Sequence, residues 1–171
     1  MRLFLVGFMG SGKSHTGRAL AELMGMPFID LDDYVTARAG MPITKIFAQH
    51  SEGYFRELER EVLLSLATLP MFVMATGGGT PCYHRLIEEL NRIGTTVFLD
   101  VAVELLLERL RPEAAHRPLL ASATDLRQAI ASKLAERRGC YEKAQLRVRI
   151  DNRTTDVARL VYDHLLRSSP T

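Results

Sequence analysis

Leu3-Phe4-Leu5-Val6-Gly7-Phe8-Met9-Gly10-Ser11-Gly12-Lys13-Ser14 is the stretch that decides the fold. Its first four residues are apolar without alternation, the signature of a strand buried on both faces. The next eight fit G-x-x-x-x-G-K-[ST], a loop whose backbone N–H groups turn inward around an anion. Glycines allow that conformation and keep side chains out of the way. In such a loop Lys13 reaches the β- and γ-phosphates of a nucleotide, and the Ser14 hydroxyl ligates Mg²⁺. A helix beginning at Lys13 adds its positive dipole end. Gly10, Ser11, Gly12, Lys13, Ser14 and His15 are therefore the expected ATP-binding run. For His15, a side chain facing solvent or a neighbouring helix is the other reading.

The rest of the 171 residues narrows the class. The length fits one domain, 1–171. Apolar residues make up 47% and charged residues 25%, and the net charge is +2. That balance excludes a disordered tail and argues against a dedicated nucleic-acid surface. Eighteen of the 22 basic residues are Arg, which suits carboxylate and phosphate recognition but also follows from Arg-rich coding bias. The apolar run Leu3–Val6 is too short for a secretory signal, and no run of membrane-spanning length occurs. The expectation is a cytoplasmic protein, monomeric, with no membrane or nucleic-acid partner. Cys82 and Cys140 stand far apart and are expected to be reduced thiols.

Apolar runs and helical patterns alternate to the C-terminus. Phe28–Asp30, Met71–Ala75, Thr96–Asp100 and Arg147–Ile150 read as further short strands. Helical spacing covers Lys13–Met24, where Leu20, Leu23 and Met24 share a face. It recurs over 32–39, 43–49, the stretch opened by Ser51, 83–93, Val103–Leu110, Asp125–Lys143 and Thr155–Arg167. Residues 111–124 read as an exposed loop. The pattern predicts an α/β fold of three layers, with a five-stranded parallel sheet covered by helices. Ligands bind such sheets at the carboxyl ends of the strands. Three polar clusters fall there: 7–14, 30–33 and 76–80.

The loop alone leaves the activity open, because GTPases, transport ATPases and small-molecule kinases share it. The Asn-Lys-x-Asp and Leu-Ser-Gly-Gly signatures of the first two are absent. The other clusters suit an acceptor site. Asp30 and Asp32 alternate around Leu31 and would point the same way in an extended segment. One carboxylate can hold Mg²⁺ through water while the other binds an acceptor hydroxyl and takes its proton. The competing reading is a helix cap at Asp32 or Asp33, and Asp33 suits that role or a solvated one. Arg56 and Glu59, three apart on a helix, are either a surface ion pair or an anion grip oriented by its carboxylate. Gly77, Gly78 and Gly79 end a strand and permit close backbone approach to a ligand, or form a tight turn. Arg117 in the 111–124 loop is placed as a lid residue would be, or is an ordinary basic loop residue. Arg137 and Arg138 lie on a helix, at least one of them on a solvated face.

Taken together, GFMGSGKS (7–14), IDLDD (29–33), FRELE (55–59), TGGG (76–79), RPLL (117–120) and ERRGCY (136–141) resemble the shikimate kinase family across nearly the whole chain. The resemblance implies a P-loop kinase fold like that of the nucleoside-monophosphate kinases. It implies a substrate-binding helical segment at about 31–60 and a lid at about 111–124. It also implies Mg²⁺- and ATP-dependent phosphorylation of the shikimate 3-hydroxyl, on the route to chorismate and the aromatic amino acids. Lys13, Asp32 and Arg117 would be catalytic. Asp32, Arg56, Gly77, Gly78, Gly79 and Arg137 would bind shikimate, the two arginines gripping its carboxylate. Ser14 and Asp30 would hold the metal, and Arg117 and Arg153 would touch ATP. Arg137 stands four residues before Tyr141, the family spacing, and a shift of one would select Arg138. A gluconate-type sugar-acid kinase and a non-catalytic nucleotide-binding module are the alternatives.

Overall fold

The structure, a computed structural model, describes residues 1–116, 120–121 and 123–168. Among these, five strands form: Arg2–Val6 (β1), Phe28–Asp30 (β2), Phe72–Ala75 (β3), Thr95–Val101 (β4) and Leu146–Ile150 (β5). All pair in parallel, in the order β2-β3-β1-β4-β5. Leu3, Phe4, Leu5 and Val6 of the central strand are wholly buried, as the non-alternating run requires. Edge strand β5 alternates instead: Val148 and Ile150 are buried, while Arg147 and Arg149 face outward.

The helices are Lys13–Met24 (α1), Leu31–Ala39 (α2), Ile43–Gln49 (α3), Glu52–Leu66 (α4), Leu86–Ile93 (α5), Val103–Leu110 (α6), Leu126–Tyr141 (α7) and Val157–Ser168 (α8). They cover both faces of the sheet. Leu3 and Leu5 point into the layer that includes α1, α6, α7 and α8, and Phe4 between them points into the layer of α2–α5. On α1 the buried face is Gly17, Leu20 and Ala21, whereas Leu23 is exposed. Of the predicted trio only Leu20 is fully buried, because small residues, not the leucines alone, bring α1 close to the sheet. At Gly17 a Cβ would sit 2.5 Å from the Phe28 ring.

Two other boundaries differ from the sequence pattern. The helix expected over 83–93 begins only at Leu86. Before it, Thr80–Arg85 forms a tight 3₁₀ segment opened by Pro81 and broken at His84 and Arg85, both with positive φ. The loop expected from 111 starts as a 3₁₀ turn, Arg111–His116. Cys82 and Cys140, expected as separate thiols, are joined by a disulfide with Cα atoms 5.5 Å apart. Their 58-residue separation hid the contact, which arises because α7 packs on the 3₁₀ segment.

This topology fixes where a ligand sits. The chain leaves β1 toward β2 on one side and leaves β3 toward β4 on the other. The crevice opens at the carboxyl ends of β1 and β3, where the connections part. The loop 7–12 follows β1, and Thr76–Gly79 follows β3.

Candidate active site

Gly12 caps α1 with φ +88°, a left-handed conformation that makes glycine the fitting residue. No side chain caps this helix and no acid lies in its first turn, so its N-terminal amides and dipole stay available to an anion. Lys13 is 9% exposed, its ammonium donating to the Gly7 and Phe8 carbonyls at 2.9 Å each. A cleft of about 380 Å³ opens in front of the loop, lined by Lys13, Ser14, Asp30, Asp32, Gly77 and Arg109 among others. Gly10, Gly12 and His15 also line it, and His15 is exposed at its edge; Ser11 is buried in the turn.

Asp30 ends β2, and its carboxylate accepts from the Asp32 N–H at 3.2 Å, capping α2. This corrects two expectations. The cap is Asp30, not Asp32 or Asp33, and Asp32 is helical instead of extended; Asp33 is exposed, the other position expected for it. The pair still shares the cleft, because the capping turn swings Asp32 back toward the loop. Burial among the cleft walls raises the Asp32 carboxyl above the ordinary aspartate range. Asp30 adds to the rise, and Lys13 and Arg56 oppose it. The residue itself is exposed at the cleft, so water reaches the carboxyl there.

A second cavity of about 300 Å³ adjoins the first, and Met9, Asp32, Gly77 and Gly78 line both. Its walls come from α3, α4, the triple-glycine turn and α7. Ser51 caps α4 by accepting from the Tyr54 N–H, and the buried face of that helix carries Phe55, Arg56 and Glu59. The Arg56–Glu59 pair is therefore no surface ion pair: Arg56 is 7% and Glu59 1% exposed. Arg56 donates to Glu59 at 2.5 Å, and the Thr80 hydroxyl donates to the other Glu59 oxygen at 2.6 Å. Burial pushes the Glu59 carboxyl up, against the pull of Arg56 and Thr80. Gly79 is needed for space: a Cβ there would lie 2.4 Å from an Arg56 guanidinium nitrogen.

The two arginines of ERRGCY have different surroundings. Arg138 faces away and pairs with Asp100 at 3.1 Å and Glu142 at 3.3 Å, while Arg137 lines the second cavity. Tyr141, wholly buried below it, donates to the Gly78 carbonyl at 2.5 Å. Its hydroxyl is pushed up by burial, with Arg137 pulling the other way. A guanidinium pair, Arg56 and Arg137, thus flanks a cavity whose inner end is a carboxylate beside a phosphate-binding loop. Such a site can hold a small carboxylate-bearing acceptor and bring a hydroxyl to a phosphoryl donor.

A sequence model of the shikimate kinase family matches residues 9–167. The chain belongs to the shikimate kinase family. It is 44% identical over 147 residues to the shikimate kinase of Parabacteroides distasonis, covering 85% of each chain. The crystal structure of shikimate kinase from Bacteroides thetaiotaomicron superposes with a TM-score of 0.87 at 36% identity, covering 98% of both chains. The shikimate kinase of Acinetobacter baumannii, solved in complex with shikimate, gives 0.89 at 33% identity over 99% of this chain and 95% of that one. Between a shikimate and a sugar-acid acceptor, membership of the shikimate kinases takes the first.

Two expected residues fall elsewhere. Arg117, with Pro118 and Leu119, lies outside the described residues. Arg153 sits exposed in the turn between β5 and α8, its backbone N–H donating to Asp151, and lines neither cavity. The sequence reading missed Arg109. From the last turn of α6 it donates to the Gly10 and Ser11 carbonyls at 3.2 and 3.3 Å and walls the first cleft. No local pattern marks it, since its partners are about a hundred positions earlier.

Proposed function

We infer that this shikimate kinase transfers the γ-phosphoryl group of ATP to the shikimate 3-hydroxyl through the two adjoining cavities, which meet at Asp32. The observation that carries this division is the shared wall of Met9, Asp32, Gly77 and Gly78 between a phosphate loop and an arginine-flanked pocket. ATP phosphates lie in the first cavity on the α1 amides and Lys13. Shikimate lies in the second, its carboxylate gripped by Arg56 and Arg137 and its ring against the triple-glycine turn. Asp32 accepts a hydrogen bond from the attacking hydroxyl and orients it in line with the phosphorus. Its raised pKa favours proton acceptance, while a loose transition state asks chiefly for positioning and charge neutralisation.

The residues fit Mg²⁺. That ion keeps most of its waters and takes one or two protein oxygens plus phosphate, and Ser14 and Asp30 present a hydroxyl and a carboxylate on the same cleft. They would hold the ion, which supplies charge neutralisation to the phosphate oxygens. The helical segment at about 31–60 forms the acceptor wall. The segment at about 111–124, with Arg117, serves as the lid that adds positive charge over the phosphates. Arg109 stands at the nucleotide cleft; Arg153 has no geometric support for that role. The protein works as a cytoplasmic monomer without nucleic-acid or membrane partners. Among the described residues no helix is long and apolar enough to cross a membrane.

The test is Mg²⁺-dependent ADP release with shikimate, with gluconate and with no acceptor. Turnover on shikimate alone is expected. Turnover on gluconate at a comparable kcat/KM, or ADP release independent of acceptor, would overturn the reading.

A further inference from the structure

Cys82 stands just beyond the triple-glycine turn and Cys140 stands on α7, and the turn and α7 both line the second cavity. Cys82 lies three residues after Gly79, in the 3₁₀ segment that continues the triple-glycine turn. Cys140 lies three residues after Arg137 on α7, one helical turn along the same face. The Cys82 sulfur also sits 4.0 Å from the Arg137 carbonyl oxygen, directly under the guanidinium-bearing residue. Next to Cys140, Tyr141 donates to the Gly78 carbonyl. One covalent bond and one hydrogen bond therefore tie the helix of Arg137 to the turn of Gly78.

Both cysteines are half-buried, packed at the edge of the apolar core and within reach of a small reagent. A dithiol pair in a cytoplasmic chain meets a reducing pool, where disulfides are commonly transient and regulatory. Breaking this one leaves the Tyr141–Gly78 hydrogen bond in place and returns a thiol to Cys82, which can then donate to the Arg137 carbonyl. Both states are sterically provided for. They differ in how tightly α7 is pinned to the turn.

We propose that Cys82 and Cys140 are a reversible redox modification site whose disulfide fixes Arg137 against the triple-glycine turn and so sets the affinity of the acceptor pocket. The proposal rests on the placement of shikimate between Arg56 and Arg137. The chemistry is thiol–disulfide exchange with a low-molecular-weight disulfide. A thiolate of the pair attacks the reagent, the mixed disulfide is resolved by the second cysteine, and two reagent thiols leave carrying the two electrons and two protons. A dithiol reverses the sequence. The mechanism of phosphoryl transfer uses neither sulfur, so the effect belongs on binding and not on the chemical step.

The experiment uses the full chain equilibrated with oxidised glutathione or with dithiothreitol, then alkylated with N-ethylmaleimide and weighed by mass spectrometry. Steady-state kinetics for both substrates are measured on the same two samples. Expected are no alkylated thiols after oxidation and two after reduction. Reduction should raise the KM for shikimate several-fold, leaving kcat and the KM for ATP unchanged. Cys140→Ser should match the reduced enzyme whatever the treatment, and Cys82→Ala serves if that variant does not fold. Two alkylated thiols in the oxidised sample overturn the link. An unchanged shikimate KM across the two thiol states overturns the coupling. A change confined to ATP overturns the placement of the acceptor clamp, while absence of shikimate turnover in both states would strike at the proposed function itself.

Discussion

Replacing Gly79 by Ala should leave the fold intact and disable the acceptor grip. Gly79 has φ −93°, a conformation any residue adopts, so the backbone imposes no penalty. The added Cβ would lie 2.4 Å from one Arg56 guanidinium nitrogen, 2.6 Å from its carbon and 2.9 Å from the other nitrogen. Ordinary contact requires the guanidinium to retreat by about 1 Å. That is enough to stretch its 2.5 Å bond to Glu59 toward the limit of hydrogen bonding, and it carries the fork away from a carboxylate in the pocket. Losing one well-made charge-assisted hydrogen bond costs about 1.5–3 kcal/mol, or roughly 10- to 150-fold in affinity. A displacement of about 1 Å at a positioning group has a cost of similar order in rate. The expected result is a drop of that size in kcat/KM for shikimate, with the KM for ATP close to wild type and the melting temperature lowered by several degrees through the stretched Arg56–Glu59 bond. Steady-state kinetics and a thermal melt decide it. An unaltered shikimate kcat/KM in a folded G79A enzyme would refute the argument, as would an equal loss on the ATP side.

Other expectations can be tested alongside. Lys13→Ala should lower kcat by orders of magnitude through lost charge stabilisation, and near-wild-type turnover would remove Lys13 from the phosphate site. Glu59→Gln separates stability from function. Burial raises the Glu59 carboxyl above 4.5, so its contribution to stability is fully present below 4.5 and is lost as pH rises through the folded value. At neutral pH the glutamine variant should melt no lower than wild type, with the difference closing in acid, while its KM for shikimate rises; a clear loss of melting temperature at neutral pH would contradict this. Tyr141→Phe removes the donor to Gly78 and should raise the KM for shikimate with little change for ATP, measured by initial rates. Reduction of the disulfide, which closes a loop spanning 58 positions, should lower the melting temperature by about 10 °C. Calorimetry with and without dithiothreitol reads it, and superimposed traces would mean the link adds no stability.

Local chemistry was legible in the sequence, and long-range partnership was not. The β1–loop–α1 unit is contiguous, so residues 3–14 specify strand, cradle and helix start without help from elsewhere. The buried runs likewise foretell a parallel sheet, because strands covered on both faces have no reason to alternate. Arg56 and Glu59 were visible as a pair, but their burial depends on α4 packing against the sheet and on Thr80 from another element. Arg137 could not be told from Arg138 until Asp100, 38 positions from Arg138, claimed the latter. Arg109 and the cysteine pair escaped for the same reason, since their counterparts are brought close only by the crossovers. Asp32 lines the cleft by a route the pattern did not show: the Asp30 cap at the start of α2, not an extended segment, delivers it there.

The wall common to the two cavities has a consequence for inhibition. Met9, Asp32, Gly77 and Gly78 line both spaces, so the two lie side by side. A single molecule joining a polyphosphate to a cyclic carboxylate would need only a short, stiff tether to reach both ends. It would surrender its translational and rotational freedom once where two separate ligands surrender it twice. Tether length would then act as a molecular ruler: affinity should peak sharply at the one spacing that matches the wall and fall away on either side.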